Sequence, residues 1–168
     1  MSVFEQLSFF GEPRLPVVLQ TENAECGLAC MAMVSSYHGF VTDLSSLRAR
    51  FSISTRGVSL DDLMGMSERM NMDAQAMRLE LDELDQLPTP CILHWDMNHF
   101  VVLKKVKGNK IEIHDPARGH VVLSMDEVSG HFTGVALVAT PNIRFEQKTE
   151  KQSVKLSQLV GQVQGLKS

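Results

Sequence analysis

The stretch Leu19-Gln20-Thr21-Glu22-Asn23-Ala24-Glu25-Cys26-Gly27-Leu28-Ala29-Cys30 sets an amide side chain six positions ahead of a cysteine. The cysteine then opens an apolar, helix-prone run from Leu28 to Tyr37. A thiol at a helix N-terminus lies among unpaired N–H groups at the positive end of the dipole. That setting favours the thiolate, which is the nucleophilic form. Gln20 can supply the amide donor that an oxyanion hole requires. Cys26 on its own also fits a plainer role, since a cysteine in an apolar helix is usually a small core residue. The rest of the chain has to decide between the two.

At 168 residues the chain can hold one domain with a useful core, and 43% hydrophobic with 21% charged residues is ordinary globular composition. The net charge is −4 and no basic stripe is present, so nucleic acid is not an expected partner. Three cysteines at irregular spacing argue against a disulfide framework and for a reducing compartment. The start, Met1-Ser2-Val3-Phe4-Glu5-Gln6, has neither the basic start nor the apolar run of a signal peptide. No stretch approaches the ~18 apolar residues that span a bilayer. The piece reads as soluble. Ten methionines suit irregular core gaps or an adaptable peptide-binding surface.

Residues 1–14 read as an N-terminal arm. Thr21 or Asn23 can cap a helix from Cys26 to Tyr37, stopped by Gly39. Leu44, Leu47 and Phe51 predict an amphipathic helix over Asp43 to Phe51. Ser59 with Asp62 resembles a capping box opening a third helix, which ends near Asn71. Met77, Leu79 and Leu81 alternate, as in a strand, and Leu87-Pro88-Thr89-Pro90 is a break. The pattern then becomes β. Strands are expected at Cys91 to Trp95, His99 to Lys107, Lys110 to Asp115, Val121 to Leu123 and Gly134 to Ala139. Ser124 caps a short helix after the fourth of these. Helices first and an antiparallel sheet second predict an α+β domain over residues 15–141. Residues 142–168 read as a polar linker followed by an amphipathic pattern at Leu156, Leu159, Val160 and Val163. With nothing to pack on, that pattern suggests a natural protein that continues.

A cysteine nucleophile needs a base, and the base needs an orienting group. His38, His94, His99, His114, His120 and His131 compete for the first role. His99 opens the most apolar strand, and Asp115 ends the next one. The pair also fits a plain reading in which it merely brackets a hairpin. A two-residue loop at Gly108-Asn109 sets Val102 opposite Asp115 and turns His99 and Asp115 to opposite faces. A triad therefore requires a three-residue loop or a bulge. Ile111, Ile113 and Asp115 then share a face with His99, Val101 and Leu103, and that face is expected to cover the Cys26 helix. A regular ladder would instead make Asp96 the next candidate. Cys26 and Cys30, one turn apart, form only a weak zinc motif with His94 or His99. Cys30 and Cys91 read as core residues, and His114 as pointing away from Asp115. Trp95 and Asn98 are candidate substrate-binding residues beside His99, although a lone tryptophan is more often core.

Four blocks resemble one known family: Gln20 with Glu25-Cys26-Gly27-Leu28-Ala29-Cys30, Cys91-Ile92-Leu93-His94-Trp95, His99-Phe100-Val101-Val102-Leu103, and His114-Asp115-Pro116-Ala117-Arg118-Gly119. They are similar to the peptidase domains of bacteriocin exporters of the colicin V type, over about Leu15 to Thr140. These are papain-like cysteine peptidase domains at the N-terminus of ATP-binding-cassette transporters, and they remove double-glycine leader peptides. The resemblance implies a papain-like fold, with a helical subdomain packed on an antiparallel sheet. It implies Cys26 as nucleophile, His99 as general base and acid, Asp115 as orienting group and Gln20 as oxyanion donor. Some relatives lack the cysteine and only bind leaders, which leaves a non-catalytic leader-binding module as the alternative. Another papain-like hydrolase, such as a deamidase or isopeptidase, is a third reading. The resemblance further implies transmembrane and nucleotide-binding domains as partners, a homodimeric full-length exporter and a place on the cytoplasmic side of the bacterial inner membrane. The chain holds no Walker motif. No cofactor is expected in this domain, and ATP only in the nucleotide-binding domain.

Overall fold

The structure, a computed structural model, describes residues 13–151. Most of the expected N-terminal arm and all of the amphipathic pattern at 156–163 lie outside the described residues.

Helix α1 (Cys26–Tyr37) is buried on every side from Cys26 to Ser35. A helix enclosed all round needs no polar stripe, which is why its sequence shows none. Gly39, at φ +110°, takes the left-handed conformation that ends it. Neither Thr21 nor Asn23 caps α1; a 3-10 turn, Asn23–Glu25, leads into it instead. A short strand β1 (Phe40–Thr42) follows, then helix α2 (Leu44–Arg50). The Asp43 side chain accepts the Ser46 N–H at 2.8 Å and starts α2. Helix α3 (Leu60–Arg69) begins with the expected capping box: Asp62 N–H donates to Ser59 Oγ at 3.1 Å, and Ser59 N–H to Asp62 Oδ2 at 2.7 Å.

Strand β2 (Met72–Arg78) starts five residues before the expected alternation at Met77, and Leu81 instead opens a 3-10 turn, Leu81–Gln86. β2 lies at the sheet edge, where Asp73, Gln75 and Ala76 face solvent, so that part of the strand carries no apolar alternation to read. Strands β3 (Cys91–Trp95), β4 (His99–Lys107), β5 (Lys110–Asp115) and β6 (Gly119–Ser124) lie where the pattern predicts. Helix α4 (Met125–Ser129) and strand β7 (Phe132–Pro141) complete a six-stranded antiparallel sheet of order β2-β7-β3-β4-β5-β6.

The sheet separates two cores. On one side Ile92, Phe100, Val102, Leu137 and Ala139 pack with α1, α2 and α3. On the other, Leu93, Val101, Leu103, Ile111, Ile113 and Val138 pack with Leu84 and Val128. Burial on both faces explains why β3, β4 and β7 are apolar without alternation. It also corrects the expectation about the hairpin face. The face carrying Val101, Leu103, Ile111 and Ile113 covers the 3-10 turn and α4, while the opposite face covers the Cys26 helix.

The reading of the chain after residue 141 as a linker needs a correction over residues 142–151. Lys148–Glu150 forms strand β8, which pairs in parallel with β1, and Phe145 packs on the first core. Among the described residues no helix is long and apolar enough to cross a membrane.

Candidate active site

Three chain features converge at one end of the sheet. Cys26 is the first residue of α1, His99 the first of β4 and Asp115 the last of β5. Because β4 and β5 are antiparallel, their His99 and Asp115 ends coincide. The turn between them keeps only two residues, with Gly108 at φ +60°. Parity is restored by a bulge at Lys104: Leu103 pairs with Ile113, whereas Lys105 pairs with Glu112. Of the two devices that could place His99 and Asp115 on one face, the fold uses the bulge and keeps the tight turn.

His99 Nε2 and Asp115 Oδ1 are 2.7 Å apart. The Cys26 thiol lies near enough to the same ring to contribute to its raised pKa. Asp115 Oδ1 also accepts the Ala117 N–H at 2.9 Å, so the turn after β5 aims the carboxylate. Burial by itself lowers the His99 pKa. The hydrogen bond to Asp115 and the nearby Cys26, together with their charges, outweigh it and raise the value from 6.5 to about 9. Burial raises the Asp115 pKa, but the His99 and Ala117 hydrogen bonds hold the carboxyl below its ordinary range.

Gln20 is pinned beside this pair. Its backbone N–H donates to the carbonyl of Pro116, the residue after Asp115, at 2.8 Å. Its side-chain Oε1 is buried without a hydrogen-bond partner among the described residues. A buried amide oxygen left unpaired in a folded chain asks for an explanation.

The turn that presents His99 is braced. Asp96 and Met97 have φ of 52° and 65°, uncommon for residues other than glycine. His94 holds the turn through Thr133 Oγ1 at 2.8 Å and the Met97 carbonyl at 3.0 Å. Asp96 pairs with His131 Nδ1 at 2.7 Å and so is engaged away from His99. Asn98 is exposed and lines a groove of about 580 Å³ with Arg56, Val58, Leu60, Phe100 and Val135. Trp95 does not fit the substrate-binding role considered for it. It is 4% exposed, sits in the second core and stacks on His131 at 5.3 Å.

The other thiols are structural. Burial pushes Cys91 up to about 12 and Cys30 well above its usual value, so both stay neutral in the core. His114 faces away from Asp115, as expected, but is buried and donates from Nδ1 to the Pro16 carbonyl at 2.8 Å. Among the described residues no group of three or more His, Cys, Asp or Glu side chains is arranged to hold a metal ion.

Sequence reading missed Glu25. It is 4% exposed and bonded to Arg48 of α2 and to Thr21. Its place next to Cys26 was visible, but its partner lies 23 residues further along, with no periodicity to connect them.

Residues 14–144 match the Peptidase C39 family. A probable microcin-H47 secretion/processing ATP-binding protein of Escherichia coli is 46% identical over 165 residues, which is 98% of this chain and 24% of that protein. The colicin V secretion/processing ATP-binding protein of Escherichia coli is 48% identical over 154 residues, 92% of this chain and 22% of that protein. The chain thus spans about a quarter of the length of these curated relatives. A crystal structure of a double glycine motif protease from an AMS/PCAT transporter, in complex with the leader peptide, superposes with a TM-score of 0.72. It is 36% identical and covers 79% of this chain and 95% of its own. With the family model matching most of its length, this chain belongs to the Peptidase C39 family of cysteine peptidases.

Proposed function

We propose that this chain cuts the leader from a bacteriocin-like precursor peptide on the carboxyl side of a Gly-Gly pair, with Cys26 as nucleophile. The observation that carries the reading is the His99 ring held between the Asp115 carboxylate at 2.7 Å and the thiol that opens α1. His99 takes the Cys26 proton, and the sulfur attacks the carbonyl carbon of the second glycine. The carbonyl oxygen becomes an oxyanion. Gln20 and the Cys26 backbone N–H, at the start of a helix, donate to it. The peptide C–N bond then breaks, His99 returns its proton to the leaving amine, and a thioester to the leader remains. Water, deprotonated by His99, hydrolyses that thioester and restores the thiol. Asp115 keeps the ring oriented and offsets its charge.

The relatives named above support a wider setting. We place the chain on the cytoplasmic side of a bacterial inner membrane, attached to transmembrane and nucleotide-binding domains of a homodimeric exporter. ATP belongs to the nucleotide-binding domain, and the cleavage chemistry in this chain uses no cofactor.

The test is incubation of the chain with a synthetic precursor peptide that carries a Gly-Gly pair, with products identified by mass. One cut after the second glycine is the expected result. Binding without cleavage would favour a leader-binding module, and equal cleavage of a Leu-Leu peptide would favour a broader hydrolase.

A further inference from the structure

Glu25 is an acid buried to 4% exposure immediately before the nucleophile. A buried carboxylate persists only when paired and hydrogen-bonded, and this one is. Its Oε1 accepts from the Arg48 guanidinium. Its Oε2 accepts the Thr21 N–H at 3.0 Å, the Thr21 hydroxyl at 2.7 Å and the Glu22 N–H at 3.1 Å. Arg48 Nη2 donates in turn to the Thr21 hydroxyl oxygen at 2.6 Å. The hydroxyl therefore donates to one clamp residue and accepts from the other, which sets its orientation. Gln20, one residue upstream, is tied on its other side by its N–H to the Pro116 carbonyl at 2.8 Å. The segment between the amide and the nucleophile is thus held at both ends. One tie reaches the turn that aims Asp115, and the other reaches the residue that precedes Cys26.

We propose that Glu25 and Arg48 are positioning residues, whose clamp on Thr21 and Glu22 holds the Gln20 amide in the attitude that the oxyanion requires. The inference rests on the peptidase reading above and deepens it. The bonds of both residues run to Thr21, Glu22 and each other, so they act through the backbone next to Gln20. An oxyanion donor works because it needs no reorganisation at the moment of reaction. A misplacement of about 1 Å caused from outside the reacting atoms can cost about 100-fold in rate. Arg48 comes from α2, so the clamp also ties the helical layer to the site. A lysine cannot reproduce the guanidinium fork that reaches Glu25 and Thr21 together.

Arg48→Met, Arg48→Lys, Glu25→Gln and Thr21→Val test this. Arg48 is 39% exposed and Thr21 is exposed, so their variants probe the clamp without opening the core. With the synthetic Gly-Gly precursor peptide, Arg48→Met should lower kcat about 10- to 100-fold with KM little changed. Arg48→Lys should fall between it and the wild type. The diagnostic is a double-mutant cycle. In a Gln20→Ala background the same Arg48→Met change should cost almost nothing further, because the amide it positions is gone. Equal losses in both backgrounds would mean that the pair only supports the fold, and would overturn the proposal. Hydrogen exchange reads the clamp without substrate: the Thr21 and Glu22 amides should exchange faster in Arg48→Met while the β4 and β5 amides keep their protection. Unchanged exchange at Thr21 and Glu22 would overturn it as well. If the wild-type chain cuts no Gly-Gly peptide, the proposed function fails, and the exchange result still decides whether the clamp exists.

Discussion

His99 keeps its proton further into the alkaline range than a free imidazole does, because Asp115 and Cys26 outweigh the effect of its burial. The sign of the consequence follows from linkage. A folded-state pKa of about 9 against an ordinary 6.5 contributes stability that is whole below pH 6.5 and is lost as pH rises through 9. Asp115, whose pKa is lowered, contributes stability that is present above its ordinary value and is lost as pH falls through its folded value. Asp115→Asn should therefore move the His99 titration, followed by NMR of the ring protons, down from about 9 toward 6.5. The variant should also lose less stability than the wild type between pH 6.5 and 9, read as urea midpoints. For catalysis, Cys26→Ala should abolish cleavage and leave binding of the uncut precursor peptide in place, measured by calorimetry. Gln20→Ala should lower kcat by roughly 100- to 1000-fold with affinity retained, the usual cost of one oxyanion donor. A kcat left intact with weakened binding would make Gln20 a substrate contact.

Among the elements, the β4–β5 hairpin decides whether a triad exists at all. Side chains alternate, so with a two-residue turn His99 and Asp115 share a face only if one residue between them is left out of the pairing. Lys104 is that residue. It is exposed, and it stands unpaired between the Leu103–Ile113 and Lys105–Glu112 pairs. Deleting Lys104 should leave both flanking pairs in register, now as an unbroken ladder, and cleavage of the precursor peptide should survive. Loss of cleavage in a folded deletion variant would show that the local twist of the bulge, and not parity alone, aims His99. Helix α1 offers a second test. A Cβ added at Gly27 would lie 2.2 Å from Val58 Cγ2 and 3.2 Å from Leu63 Cδ2. The loop before α3 can approach the Cys26 helix only because nothing projects there. Gly27→Ala should cost about 1–3 kcal/mol in a denaturant titration, the usual range for overpacking a filled interior.

At the scale of the whole molecule, the sheet keeps two cores apart and the site sits at the end where the Cys26 helix meets the strand termini. The chain past Pro141 belongs to this body. Lys148 N–H donates to the Gly39 carbonyl at 3.1 Å, β8 pairs with β1, and Phe145 covers part of the first core. A chain ended at residue 141, the boundary the sequence suggests, should unfold at a lower denaturant concentration than one ended at residue 151. Equal midpoints would return that segment to the status of a linker.

By itself the sequence determined the parts whose cause is local. Capping residues and tight turns act over a few neighbours, so the start of α3 and the β4–β5 turn were legible in Ser59 with Asp62 and in Gly108-Asn109. The block from Gln20 to Cys30, with His99 and Asp115, pointed to cysteine-peptidase chemistry through its resemblance to one family. Only the tertiary structure decided the rest. Periodicity tells that a strand has two apolar faces but not which layer covers which face, so the side of the sheet that carries α1 was read wrongly. Edge strands such as β2 and β8 draw their stability from backbone pairing with distant partners and leave little apolar pattern. The Glu25–Arg48 bond joins residues 23 apart on different elements, and no spacing rule connects them. Parity called for a longer turn or a bulge, and only the structure shows that the extra residue stands at Lys104.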